Sequence, residues 1–123
     1  MNATLRAQRA YAPGNAPLRT PKSIEYDAIA KVTSGLKRAD QAKDTDFPGL
    51  AQALEQNRKL WQIFAGEVAS DKNTLPQGLR AQIFYLAEFT FAHTRKVLSR
   101  QEDASALVDI NTAIMRGLKP GEM

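Results

Sequence analysis

The chain has 123 residues and a formal charge of +4, from seventeen Lys and Arg against thirteen Asp and Glu. Four of those bases, Arg6, Arg9, Arg19 and Lys22, precede the first carboxylate, Glu25, so the chain from residue 23 onward is electrically neutral. A basic domain that tracks phosphate backbones needs a net positive field, and the region able to fold lacks one. One domain fits the length, and a chain of this size buries about two-thirds of its unfolded surface without needing a staple. No cysteine is present, which removes disulfides, thiolate metal sites and cysteine nucleophiles together and suits a reducing compartment. No apolar run approaches the roughly 20 residues needed to cross a bilayer, and the N-terminal segment lacks the apolar stretch of a secretory signal. Its Arg-containing, acid-free composition resembles a mitochondrial presequence, but Pro13, Gly14 and Pro17 break an amphipathic helix there. The expected location is cytoplasmic.

In chain order, residues 1–19 read as a flexible basic arm, 20–118 as a helical domain and 119–123 as a short tail. Thr20 and Pro21 supply an N-cap and a proline at the first helical position. Ile29, Val32, Leu36 and Ala39 then recur at steps of three and four, forming one apolar stripe that Lys31, Lys37 and Lys43 avoid. The charged stretch from Asp40 to Asp46 ends the helix, and Phe47-Pro48 opens a second one capped by Asp46. Its stripe is Leu50, Leu54, Trp61, Phe64 and Val68, widened by Leu60 and Ile63.

Residues 70–73 read as a loop, and Thr74 with Gln77 has the spacing of a capping box. The third helix, running to about Ser99, is the most apolar: Leu79, Ile83, Leu86 and Val97 share one lane, Phe84, Ala87 and Phe91 the next, and Tyr85, Phe89 and Ala92 a third. A helix apolar around most of its circumference is covered by other helices or by a partner. A fourth helix, from about Ala104 to Arg116, carries Leu107, Ile110 and Ile114, and Gly117 with Pro120-Gly121 ends it. Strand patterns and internal repeats are absent, so the fold class is all-α, a compact antiparallel four-helix bundle.

Site chemistry is sparse. His93 is the single histidine and has no cysteine, HExxH or Glu-x-x-His spacing around it, so no metal site is expected. The seven glycines are scattered and form no phosphate loop. Serine catalysis would rely on His93 without a nucleophile elbow. The expectation is therefore a protein that is not an enzyme, with no catalytic residues, no metal and no cofactor. More informative are polar residues that interrupt apolar lanes: Asn57 on the second helix, Thr90 and His93 on the third, and Asn111 on the fourth. Unpaired buried polar groups cost about 1 to 3 kcal/mol, so these should be partnered. Either they form an internal network that fixes helix register or they line a groove that receives a bound helix. Four of the nine aromatics fall between Phe84 and Phe91, more than one face can bury, and an exposed remainder would mark a hydrophobic binding patch. The basic pairs Lys37-Arg38, Arg58-Lys59 and Arg95-Lys96 are interspersed with acids and read as solvated faces.

Four stretches resemble the FlaF family of flagellar biosynthesis regulators of alphaproteobacteria: Arg19-Thr-Pro-Lys-Ser-Ile-Glu-Tyr-Asp27, Asn57-Arg-Lys-Leu-Trp61, the segment from Leu79 to Thr94, and Leu107-Val-Asp-Ile-Asn-Thr-Ala-Ile-Met-Arg-Gly-Leu118. The second and fourth are the more specific, because each sets an asparagine inside an apolar stripe. The resemblance implies a small cytoplasmic protein needed for flagellin production and export, acting as a flagellin-binding secretion chaperone beside the translational regulator FlbT. FlbT and the export apparatus are further implied partners, and the family brings no catalytic residues. Under that reading an amphipathic flagellin helix packs on Tyr85, Phe89 and Trp61, with Asn57 and Asn111 setting register. The alternative is an RNA-binding regulator acting on flagellin message.

Overall fold

The stripes translate into four helices, and the hydrogen bonds between them fix which way each one runs. The computed structural model describes residues 26–118, in which α1 spans Tyr26–Gln41, α2 Phe47–Ala69, α3 Gln77–Leu98 and α4 Ser105–Leu118. No strand occurs among the described residues. The helix start expected at Thr20-Pro21, the arm of residues 1–19 and the tail of residues 119–123 lie outside them.

Asn111 of α4 reaches Thr33 of α1, and the backbone amide of Ala104 reaches Asp40. Residues later in α4 therefore meet residues earlier in α1, which makes the pair antiparallel. The core gives the same result for the other neighbours. Ile29, Leu60, Trp61, Phe64, Ile83 and Ala87 share one hydrophobic cluster, while Leu36, Leu50, Leu54, Val97, Ala104 and Leu107 share another. Directions thus alternate from helix to helix. α1 packs against α2 and α4, α2 packs against α3, and α3 meets α4 through a much thinner contact that closes the ring. At 1.5 Å per residue, the 23 residues of α2 make it about 35 Å long, as bundle geometry requires. Leu36, Leu50, Leu54 and Leu107 are completely buried, and each such side chain contributes roughly 1.5 to 3 kcal/mol relative to exposure.

The caps agree with the sequence at one helix and differ at another. The Asp46 carboxylate accepts the Gly49 amide at 3.0 Å, and Pro48 sits in the first turn of α2. A side chain at position 49 would collide with that carboxylate, so the cap depends on the glycine. At α3 the expected capping box does not form. Pro76 is the N-cap, no side chain caps the helix, and the Leu75 amide instead donates to Asn73. The reason is local: Leu75 precedes a proline and is pushed out of the α region, so the helix begins only after Pro76 and strands Thr74 two positions outside it. Gly117 lies inside α4 rather than ending it, and Ile63, expected to widen the stripe of α2, is exposed.

The α3–α4 connection is tied down at several points. The Arg100 amide donates to Val97 and the Gln101 amide to Lys96, the paired bonds of a Schellman motif. That motif needs a left-handed residue, a position glycine usually fills, yet here it is Arg100 with φ 65°. Its guanidinium lies 3.9 Å from the centroid of the Phe47 ring, a cation–π contact that offsets part of the backbone cost. Just beyond, the Ser105 hydroxyl and amide both donate to Asp103 and hold its carboxyl below the usual range. Replacing Arg100 by alanine or by glycine removes the same cation–π contact, but only alanine keeps the left-handed strain. The glycine variant should therefore be the more stable of the two by about 1 kcal/mol in urea denaturation.

Candidate functional site

Between the two hydrophobic clusters lies one polar layer. Thr33 separates Ile29 from Leu36 on α1, Asn57 separates Leu54 from Leu60 on α2, and Asn111 follows Leu107 on α4; all three are buried. On α3, Thr90 falls between Ala87 of one cluster and Val97 of the other and is completely buried. α1, α2 and α4 thus contribute one buried polar side chain each between the clusters, and α3 contributes Thr90, followed by the buried His93 and Thr94.

Asn111 is the centre of the layer. Its Oδ1 accepts from Trp61 Nε1 at 2.8 Å, and its Nδ2 donates to Thr33 Oγ1 at 3.1 Å and to Asn57 Oδ1 at 2.8 Å. Because an indole N–H can only donate, the amide orientation is determined by its partners. Thr33 in turn donates to the Ile29 carbonyl at 2.7 Å. One amide therefore joins α1, α2 and α4. The third helix is not part of this network: Thr90 Oγ1 has no partner, nor does Asn57 Nδ2.

The five residues singled out for binding divide sharply. Asn57, Trp61 and Asn111 are at most 1% exposed, so a helix lying on the surface of this bundle touches none of them. Tyr85 and Phe89 are exposed, at 67% and 36%, and Phe84 stands beside them at 44%. The second lane of α3 is split, with Ala87 buried, Phe91 half-buried and Phe84 facing outward. His93 is a packing residue: its ring stacks on Phe89 with centroids 5.4 Å apart, and Nε2 lies 3.0 Å from the Asp103 carbonyl oxygen. A carbonyl only accepts, so Nε2 carries the proton. Thr33 is the member of the layer that the sequence stripe passes over. Its signal was its place four residues after Ile29 and three before Leu36, where the apolar neighbour Val32 draws attention instead.

Among the described residues no group of three or more His, Asp or Glu side chains could hold a metal ion, and no helix is long and apolar enough to cross a membrane. The ion pairs formed there, Arg58 with Glu55 and Lys43 with Asp40, link neighbouring turns of the chain. In the first, the Arg58 guanidinium holds the Glu55 carboxyl below its usual range.

A small all-α bundle, with Thr33, Asn57, Trp61 and Asn111 joined internally and an aromatic face left outward, is the architecture these residues define. The family model described as "Flagellar protein FlaF" matches residues 7–118, and the chain belongs to the FlaF family. No curated protein and no solved structure matches the chain.

The layer makes two contrasting substitutions informative. Asn111→Leu strands the Trp61 N–H and the Asn57 Oδ1 without partners, and should cost roughly 3 kcal/mol or more at about 1 to 3 kcal/mol per stranded group. Thr90→Val removes a hydroxyl that has no partner and should be neutral or stabilising by up to about 1 kcal/mol. Urea unfolding followed by Trp61 fluorescence measures both.

Proposed function

We propose that this flagellar protein is a flagellin-binding chaperone that supports flagellin synthesis and export by receiving an amphipathic flagellin helix on the outer face of α3. Membership of the FlaF family supports the flagellar context. The observation that carries the binding mode is the outward placement of Phe84, Tyr85 and Phe89 on one helix. Large aromatics that could be buried and are not mark an interaction surface, and a helix laid along such a surface is a common recognition mode.

Contact and support fall to different residues in this reading. Tyr85 and Phe89 touch the ligand, whereas Asn57, Trp61 and Asn111 fix the register of α1, α2 and α4, the framework on which α3 packs. Apolar burial drives the association, so salt should affect it little. Binding to flagellin message through Lys and Arg would instead weaken steeply as salt rises.

Tyr85→Asp should weaken co-purification with flagellin at least about tenfold, a loss of about 1.4 kcal/mol, while circular dichroism reports an unchanged helical content. Trp61→Phe should lower stability through the lost bond to Asn111 yet leave flagellin affinity in the folded fraction unchanged. Flagellin capture that survives both Tyr85→Asp and Phe89→Asp would place the binding surface elsewhere, and salt-sensitive capture of the message would favour the RNA-binding alternative.

A further inference from the structure

The outward stripe of α3 has two unlike halves. Phe84, Tyr85, Glu88 and Phe89 occupy the first, Arg95, Lys96 and Ser99 the second, and all are exposed. Their spacings of three and four residues place them along one side of the helix. Ala92 stands between the halves and is the smallest side chain there. Neither ion pair found among the described residues involves Glu88, Arg95 or Lys96.

We propose that this stripe pairs with the same stripe of a second copy of the chain, the two α3 helices running antiparallel and crossing at Ala92. Charge complementarity selects both the occupant and the direction. About a two-fold axis at Ala92, a residue four positions before it meets the residue four positions after it, so Glu88 of each copy meets Lys96 of the other. Phe89 meets Arg95, whose guanidinium can lie over the ring as a cation–π contact, and Tyr85 meets Ser99. The symmetry repeats every such contact twice. A parallel arrangement would instead set Glu88 against Glu88 and Lys96 against Lys96, and like charges placed together oppose association. Ala92 at the crossing lets the helix axes approach to about 8 Å, the short end of the usual range. The antiparallel arrangement also aligns the helix dipoles favourably.

Self-pairing goes beyond the chaperone reading and does not require it. A flagellin helix and a second copy would occupy the same face, so flagellin would compete with the dimer.

Sedimentation equilibrium of the full chain without flagellin, from low micromolar to submillimolar concentration, tests the pairing. The unmodified protein should show a reversible monomer–dimer equilibrium. Glu88→Lys alone and Lys96→Glu alone should each raise the dissociation constant at least about tenfold, because each turns two attractive contacts per dimer into repulsive ones. Combining both changes in one chain should restore the original constant, and Ala92→Arg should abolish the dimer. Circular dichroism checks that every variant keeps its helical content. An unmodified chain that stays monomeric throughout, or a doubly substituted chain no tighter than the singles, overturns the proposal. Flagellin is absent from every sample, so these outcomes are separate from those of the co-purification experiment.

Discussion

The bundle is organised around the side-chain amide of Asn111. It is 1% exposed and makes three hydrogen bonds, accepting from Trp61 and donating to Thr33 and Asn57. An amide buried this deeply is tolerable only when its donors and acceptor are met. Meeting them constrains the relative height of α1, α2 and α4 to one register. Sliding any of these helices by a turn would strand the indole N–H or the asparagine pair inside an apolar core. The leucines above and below the layer provide most of the driving force, but they would accept several registers at similar energy. The polar layer discriminates among them.

That arrangement leaves α3 in a different position from its neighbours. It packs on α2 through Ile83, Ala87 and Val97, yet its own polar residue in the layer, Thr90, bonds to none of the others through its hydroxyl. Its polar contacts outside the core are the His93 ring nitrogen on the Asp103 carbonyl and, just past its C-terminal end, the Arg100 guanidinium on Phe47 of α2. The helix that carries the exposed aromatics is therefore held by apolar packing along its length and by polar contacts at one end.

Much of this was readable from the residues, and the exceptions have specific causes. Apart from the exposed Ile63, the stripe of α2 and the Asp46 cap appear as expected because both rest on local rules, the 3.6-residue period and the N-cap bond. Asn57 and Asn111 stood out because each breaks an apolar lane, and the internal network is one of the two outcomes that reading left open. The capping box at Thr74 failed because Pro76 shifted the helix start, a neighbour effect that outweighs spacing. Trp61 looked available for a ligand because a large aromatic near an asparagine fits a groove as well as a core.

The sequence by itself determined that the chain forms helices, where most of them begin and end, and which residues are polar where packing would favour leucine. It also carried the family, since the asparagine-containing stretches are local strings of residues. Only the tertiary structure decided that Asn57, Trp61 and Asn111 turn inward to one another while Phe84, Tyr85 and Phe89 turn outward. Periodicity assigns a residue to a face of its own helix, but which faces meet depends on contacts between segments more than fifty residues apart. Such long-range pairing is selected by the packing of the whole bundle and has no local signature.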